Sequence, residues 1–166
     1  MRLGALALAL ALGVSTASAS AGLPRSGVLV PGISLGGVGL GATASVVRSR
    51  WGTPPRICRS CAERTWYYLY EPAAGEPFGV GVTFRDGRVT AIFTLGSPRG
   101  WRTREGLRLG DGLDRAQGLY SVLSWRTCIG YLALSMRRAR VVTSIYASGE
   151  SVYGFALTRP GEPVCR

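Results

Sequence analysis

The chain has 166 residues, a formal net charge of +11 and neither Lys nor His, so all 20 of its basic residues are Arg. That composition removes the usual general base and the Schiff-base amine from any chemistry, and it favours acidic partners over neutral ones. The length suits one domain, or two small repeats sharing a core.

Residues 1–21 read as a signal peptide. Met1 and Arg2 form a short positive region, LGALALALALGV an apolar one, and Ala19-Ser20-Ala21 the best cleavage site, with Ala17-Ser18-Ala19 as runner-up. The apolar run is shorter than the roughly 20 residues a spanning helix needs, and no Cys follows it to take a lipid. The expectation is a secreted or extracytoplasmic bacterial protein, soluble and not lipid-anchored, beginning near Gly22.

Residues 22–39 form a Gly-rich lead-in, expected as an irregular segment or a short edge strand. From Leu40 a helix is predicted, with Thr43 as N-cap, a stripe of Val46, Val47 and Trp51, Gly52 just past its end, and Pro54-Pro55 forbidding continuation. The strand TWYYLYE (65–71) follows, then a Pro/Gly loop (72–77). Phe78 to Leu95 then reads as a β-hairpin about Asp86-Gly87, whose residues suit a type I′ turn. Strict alternation would pair Arg85 with Arg88 and place Phe78, Val80, Val82, Phe84, Val89, Ala91, Phe93 and Leu95 on one apolar face. Arg85, Arg88 and Ile92 would then share the other.

Residues 96–106 have the composition of a linker, after which the order of elements begins again. At one offset Leu109-Gly110 matches Leu40-Gly41, Ala116 matches Val47 and Tyr120 matches Trp51. Val152 matches Val89, and the last hairpin matches the central one, with its register left open. The expected fold is α+β, two tandem repeats (40–95 and 107–166), each a short helix packed on a three-stranded antiparallel meander.

The helix starts LGATxxxVxxxWGxP and LGDGLxxAxxLY resemble the LGMT-type helix motif of the superfamily of SmpA/OmlA outer-membrane lipoproteins and the β-lactamase inhibitor protein. The resemblance covers roughly residues 33–158. It implies short helical segments on small antiparallel sheets, the unit carried twice, and a noncatalytic protein-binding module of the envelope or exterior. The lipidation Cys of the lipoproteins is absent here.

For catalysis there remain nine carboxylates, mostly in predicted turns and helix starts, and no cofactor or metal is expected. Glu71 and Glu76 flank one loop and could act as a pair, although loop polarity explains them. The four cysteines Cys58, Cys61, Cys128 and Cys165 suit two structural disulfides in an oxidising compartment, with zinc or redox chemistry as alternatives. Pairing Cys58 with Cys61 and Cys128 with Cys165 would tie the tail back to the loop after the second helix; a crossed pairing would tie the halves together. The partner-binding candidates are Trp66, Tyr68 and Tyr70 with Arg85 and Arg88, because rigid aromatics beside Arg compose interaction hot spots. Tyr67 and Leu69 point the opposite way and could serve instead. The expected partner is another protein at or outside the envelope. Scattered Arg holding an anionic polymer or membrane surface is the alternative, and neither nucleic acid nor a transmembrane segment is expected.

Overall fold

The computed structural model of the chain describes residues 24–54, 56–69, 79–96, 100–121 and 124–166. The leader expected at 1–21, Tyr70, the Glu71 and Glu76 pair and Phe78 lie outside them. Within them the chain is mostly β. A small sheet has the order β2-β1-β7, from β1 (Ser26–Val30), β2 (Ser34–Leu35) and β7 (Gly100–Thr103). A large sheet of eight strands has the order β3-β4-β5-β6-β11-β10-β9-β8. Its strands are β3 (Arg56–Cys58), β4 (Arg64–Leu69), β5 (Gly79–Arg85), β6 (Arg88–Leu95), β8 (Ser124–Cys128), β9 (Tyr131–Arg138), β10 (Val141–Ser148) and β11 (Ser151–Thr158). All its neighbours are antiparallel.

This overturns the expected α+β fold of two repeats, each with a helix on its own three-stranded meander. The helices among the described residues are α1 (Ala44–Trp51) and α2 (Leu113–Leu119). Each precedes four strands rather than three, and β6 pairs with β11 so that all eight form one continuous sheet. The physical reason is that a meander alone leaves a row of unpaired backbone groups along β6, which β11 satisfies. The lead-in takes the strand form, one of its two expected alternatives, and within the supposed linker Gly100–Thr103 is a strand as well, because β1 pairs in parallel with β7 and buries Trp101 completely.

The central hairpin turns at Asp86 and Gly87, with φ of 51° and 71°. Its register holds as read for two pairs, Arg85 with Arg88 and Phe84 with Val89, and then shifts so that Thr83 faces Ala91 and Val82 faces Ile92. Thr90 is the extra residue of a β-bulge, which inverts the alternation beyond it. Ile92 therefore joins Val80, Val82, Phe84 and Val89 on the helix-bearing face, while Phe93 and Leu95 cross to the other. Tyr153 does the same in the last hairpin, between the pairs Ala147 with Val152 and Tyr146 with Gly154.

Each helix start is clipped to a hairpin by two backbone bonds. Gly41 N–H donates to Val89 O and Val89 N–H to Ala42 O; likewise Gly110 N–H donates to Val152 O and Val152 N–H to Asp111 O. Thr43 caps α1 by accepting from Val46 N–H, and Gly52 closes it at φ 77°. Val47 and Trp51 are buried beneath, whereas Val46 is 41% exposed. Trp51 meets Tyr68 and Trp101 edge-on at 5.6 and 6.1 Å, donates to Gly36 O, and lies beside the Tyr68 hydroxyl's bond to Gly52 O.

Two predictions follow from this packing. At the β6–β11 seam a Cβ on Gly154 would sit 2.1 Å from Thr94 O, which is backbone; Gly154→Ala should cost about 1–3 kcal/mol and visibly lower the thermal midpoint. Burial pushes the Tyr68 hydroxyl up to about 12, above the ordinary value near 10. Because the folded pKa is the higher one, its contribution is complete below about pH 10 and is lost as pH rises through about 12. Tyr68→Phe should thus be less stable than wild type at neutral pH by about 1 kcal/mol for its lost hydrogen bond. That gap should narrow across the same alkaline window in denaturant titrations.

Candidate functional site

The helices and the small sheet cover one face of the large sheet, and the chain's tail, residues 159–166, crosses the other. That face is lined by Phe93, Leu95, Ala133, Tyr146 and Ala156, with Tyr67, Tyr131 and Tyr153 at its margins. The tail is held there by directed contacts. The Tyr146 hydroxyl donates to Val164 O and the Tyr131 hydroxyl to Arg166 O, both at 2.7 Å. Arg166's guanidinium lies 5.6 Å from the Phe93 ring centre, a cation–π contact. Cys165 is bonded to Cys128 at the end of β8, and Cys58 to Cys61 beside β3. Burial raises the Tyr146 hydroxyl above its ordinary range, so it stays a hydrogen-bond donor well into alkaline solution.

The tail divides the face into two clefts. One, of ≈ 390 Å³, is bounded by Tyr67, Thr83, Arg85 and Phe93 on the sheet, by Glu63, and by the tail's Arg166. The other, of ≈ 320 Å³, lies toward β8, between Arg126, Arg137, Val142 and the tail's Val164.

The first cleft is organised by an ion cluster. Arg85 is bound by Glu63, and Glu162 Oε1 lies 2.9 Å from its Nη2. That second contact is a charge pair rather than a well-aimed hydrogen bond, since Glu162 Oε1 accepts none of good geometry. Glu63 also accepts from the Thr90 hydroxyl. The hydrogen bond it donates to Glu63 first, and the charge of Glu162 next, hold the Arg85 guanidinium above its ordinary pKa. Glu162 is only 7% exposed while Arg85 keeps 58% of its side chain in solvent, so Arg85 serves both as counter-ion to a buried carboxylate and as a rim group.

The partner-binding candidates separate. Trp66 and Tyr68 are wholly buried on the helix-bearing face, Trp66 against Phe84 with Arg48 and Arg64 over its ring. They are core, because α1 lands on that side of β4. Tyr67 faces the tail side instead, edge-on to Phe93 at 6.2 Å. Arg85 lines the cleft, but Arg88 reaches away to Gly41 O at the start of α1. Glu63, Glu162 and Arg166 escaped the sequence reading. The available signal was position alone, each lying within a few residues of a bonded cysteine.

Among the described residues no group of three or more His, Cys, Asp or Glu could hold a metal ion, and no helix is long and apolar enough to cross a membrane. No protein-family model matches the chain, and no curated protein matches it in sequence. Among solved structures it is similar to a cysteine-rich secretory protein from Staphylococcus aureus subsp. aureus Mu50, with a TM-score of 0.52 and 9% identity. The match covers 74% of this chain and 45% of that one, so the chain spans less than half that protein's length. At this identity the likeness is one of fold.

The Cys128–Cys165 bond spans 37 positions. Replacing both cysteines by Ser should lower stability by about 3–4 kcal/mol on the chain-entropy account, read by chemical denaturation. Hydrogen exchange should show the tail's amides opening before those of β10.

Proposed function

We propose that the protein is a noncatalytic protein-binding module of the cell exterior that works through the tail-bearing face of its sheet. The observation that carries this reading is the first cleft, where Tyr67 and the half-exposed Arg85 stand at the rim of an apolar floor made by Phe93. Aromatic rings and Arg around a desolvated floor are the composition of binding hot spots. The two disulfides suit an oxidising compartment, and the resemblance of the helix starts to an envelope superfamily points the same way.

A second reading rests on charge. Twenty arginines stand against nine carboxylates, which leaves much positive charge for an anionic envelope polymer or a membrane surface. The two readings differ in their response to salt, because exposed charge contacts are screened and apolar burial is not.

The test is capture of a partner from the exterior fraction, followed by affinity measurements on variants. Tyr67→Ala should weaken binding about thirtyfold or more while leaving thermal unfolding near wild type. Arg85→Ala should be made together with Glu162→Gln, so that no buried carboxylate is stranded, and should behave alike. Binding that collapses with added salt and ignores both variants would replace this reading with the anionic-polymer one.

A further inference from the structure

The two outer strands of the large sheet are finished differently. β3 has three residues and runs at once into the Cys58–Cys61 clip, which makes it a short, blunted edge. β8 has five, of which Ser124 to Thr127 are all exposed, and among the described residues no strand pairs with its outer side. Trp125 is 53% exposed and Ile129, in the turn that follows, is 98% exposed. An edge strand presents backbone N–H and C=O groups outward along its length, and large apolar side chains there make it a template for another chain.

The pairing of β8 with β9 places its side chains. Trp125 stands opposite Leu134, a residue of the helix-side core, while Arg126 stands opposite Ala133 on the tail-bearing face. Arg126 and Arg137 line the second cleft together, and among the described residues neither is in an ion pair. An added strand would therefore meet an aromatic ring on one face and uncompensated positive charge on the other. A second copy of this chain is disfavoured in the register of full overlap: antiparallel self-pairing of β8 about its central residue sets Arg126 against its own counterpart, and like charges on facing strands repel. The arginines that repel a copy attract acidic side chains.

We propose that β8 is a docking edge for an extended acidic segment of another protein, which adds as a further strand with carboxylates toward Arg126 and Arg137 and apolar side chains toward Trp125. This is β-strand addition, in which main-chain bonds supply affinity and alternate side chains supply specificity. The surface is separate from the cleft at Tyr67 and Arg85.

The probe is a capped peptide alternating Glu and Val. Trp51, Trp66 and Trp101 are buried, so Trp125 reports selectively through acrylamide quenching. The peptide should protect Trp125 saturably. The same peptide N-methylated on alternate residues, so that the donors of its pairing edge are gone, should not bind. In calorimetry Trp125→Ala should weaken the peptide about tenfold or more, and the paired change Arg126→Gln with Arg137→Gln should weaken it several-fold at low salt. Tyr67→Ala should leave it unchanged, which keeps failure here distinct from failure of the cleft. Absence of peptide binding at millimolar concentration would overturn the proposal. Equal binding of the N-methylated peptide would do so too, and would show a general polyanion surface instead; that comparison uses the wild-type chain, so a misfolded variant cannot blur it.

Discussion

One extra residue in each long hairpin decides how the whole sheet is filled. The bulges at Thr90 and Tyr153 invert the alternation of β6 and β11 partway along, so each strand sends apolar side chains to both faces. The same residues pin the seam between the halves: Arg159 N–H donates to Thr90 O and Gly96 N–H to Tyr153 O. A strictly alternating hairpin would have put Phe93 and Leu95 under the helices and left the opposite face polar. With the bulges in place both faces are apolar, and both must be covered.

The covering is unequal. On one face α1, α2 and the small sheet bury Trp51, Trp66, Tyr68 and Trp101 in a continuous core. On the other, the eight residues of the tail, at 159–166, have to serve, and a short irregular segment contributes little apolar area of its own. It is held by a disulfide, by two tyrosine hydroxyls that donate to its carbonyls, and by the charge pair of Glu162 with Arg85. Because so narrow a cover cannot close the whole face, clefts remain on either side of it, and the proposed binding surface is the part of the sheet that the fold leaves incompletely dressed.

Local chemistry was legible in the sequence wherever a residue type answers a local backbone demand. Asp86-Gly87 turned as read, Thr43 capped, and Gly52 ended α1. What was not legible depended on partners far along the chain. A bulge residue carries no compositional mark, so the register past Phe84 and the destination of Ile92 and Phe93 were misread. The alternation of TWYYL correctly set Trp66 and Tyr68 apart from Tyr67, but it could not say on which side α1 would land. The pairing of β6 with β11 joins residues about sixty positions apart and turns two expected meanders into one sheet; no window of local pattern encodes it. Glu63, Glu162 and Arg166 meet Arg85 and Phe93 only because the tail folds back across them.

The seam also bears on the order in which the molecule assembles. Within each half, β3 to β6 and β8 to β11, every pairing joins sequence neighbours, and such pairings close short loops cheaply. The β6–β11 seam and the parallel pairing of β1 with β7 each bring together distant segments, so they are kinetically expensive and come after the hairpins. During synthesis the first half exists for a time with β6 as a bare apolar edge, and that interval is when a chain of this design is most open to pairing with a neighbour. Thr158, at the end of β11, is the last residue to complete the seam, and the tail directly behind it carries Cys165. Cys128 and Cys165 both flank the β8 to β11 meander, so the second disulfide can close once those four strands have paired and fixes the tail across the second half before the seam is needed.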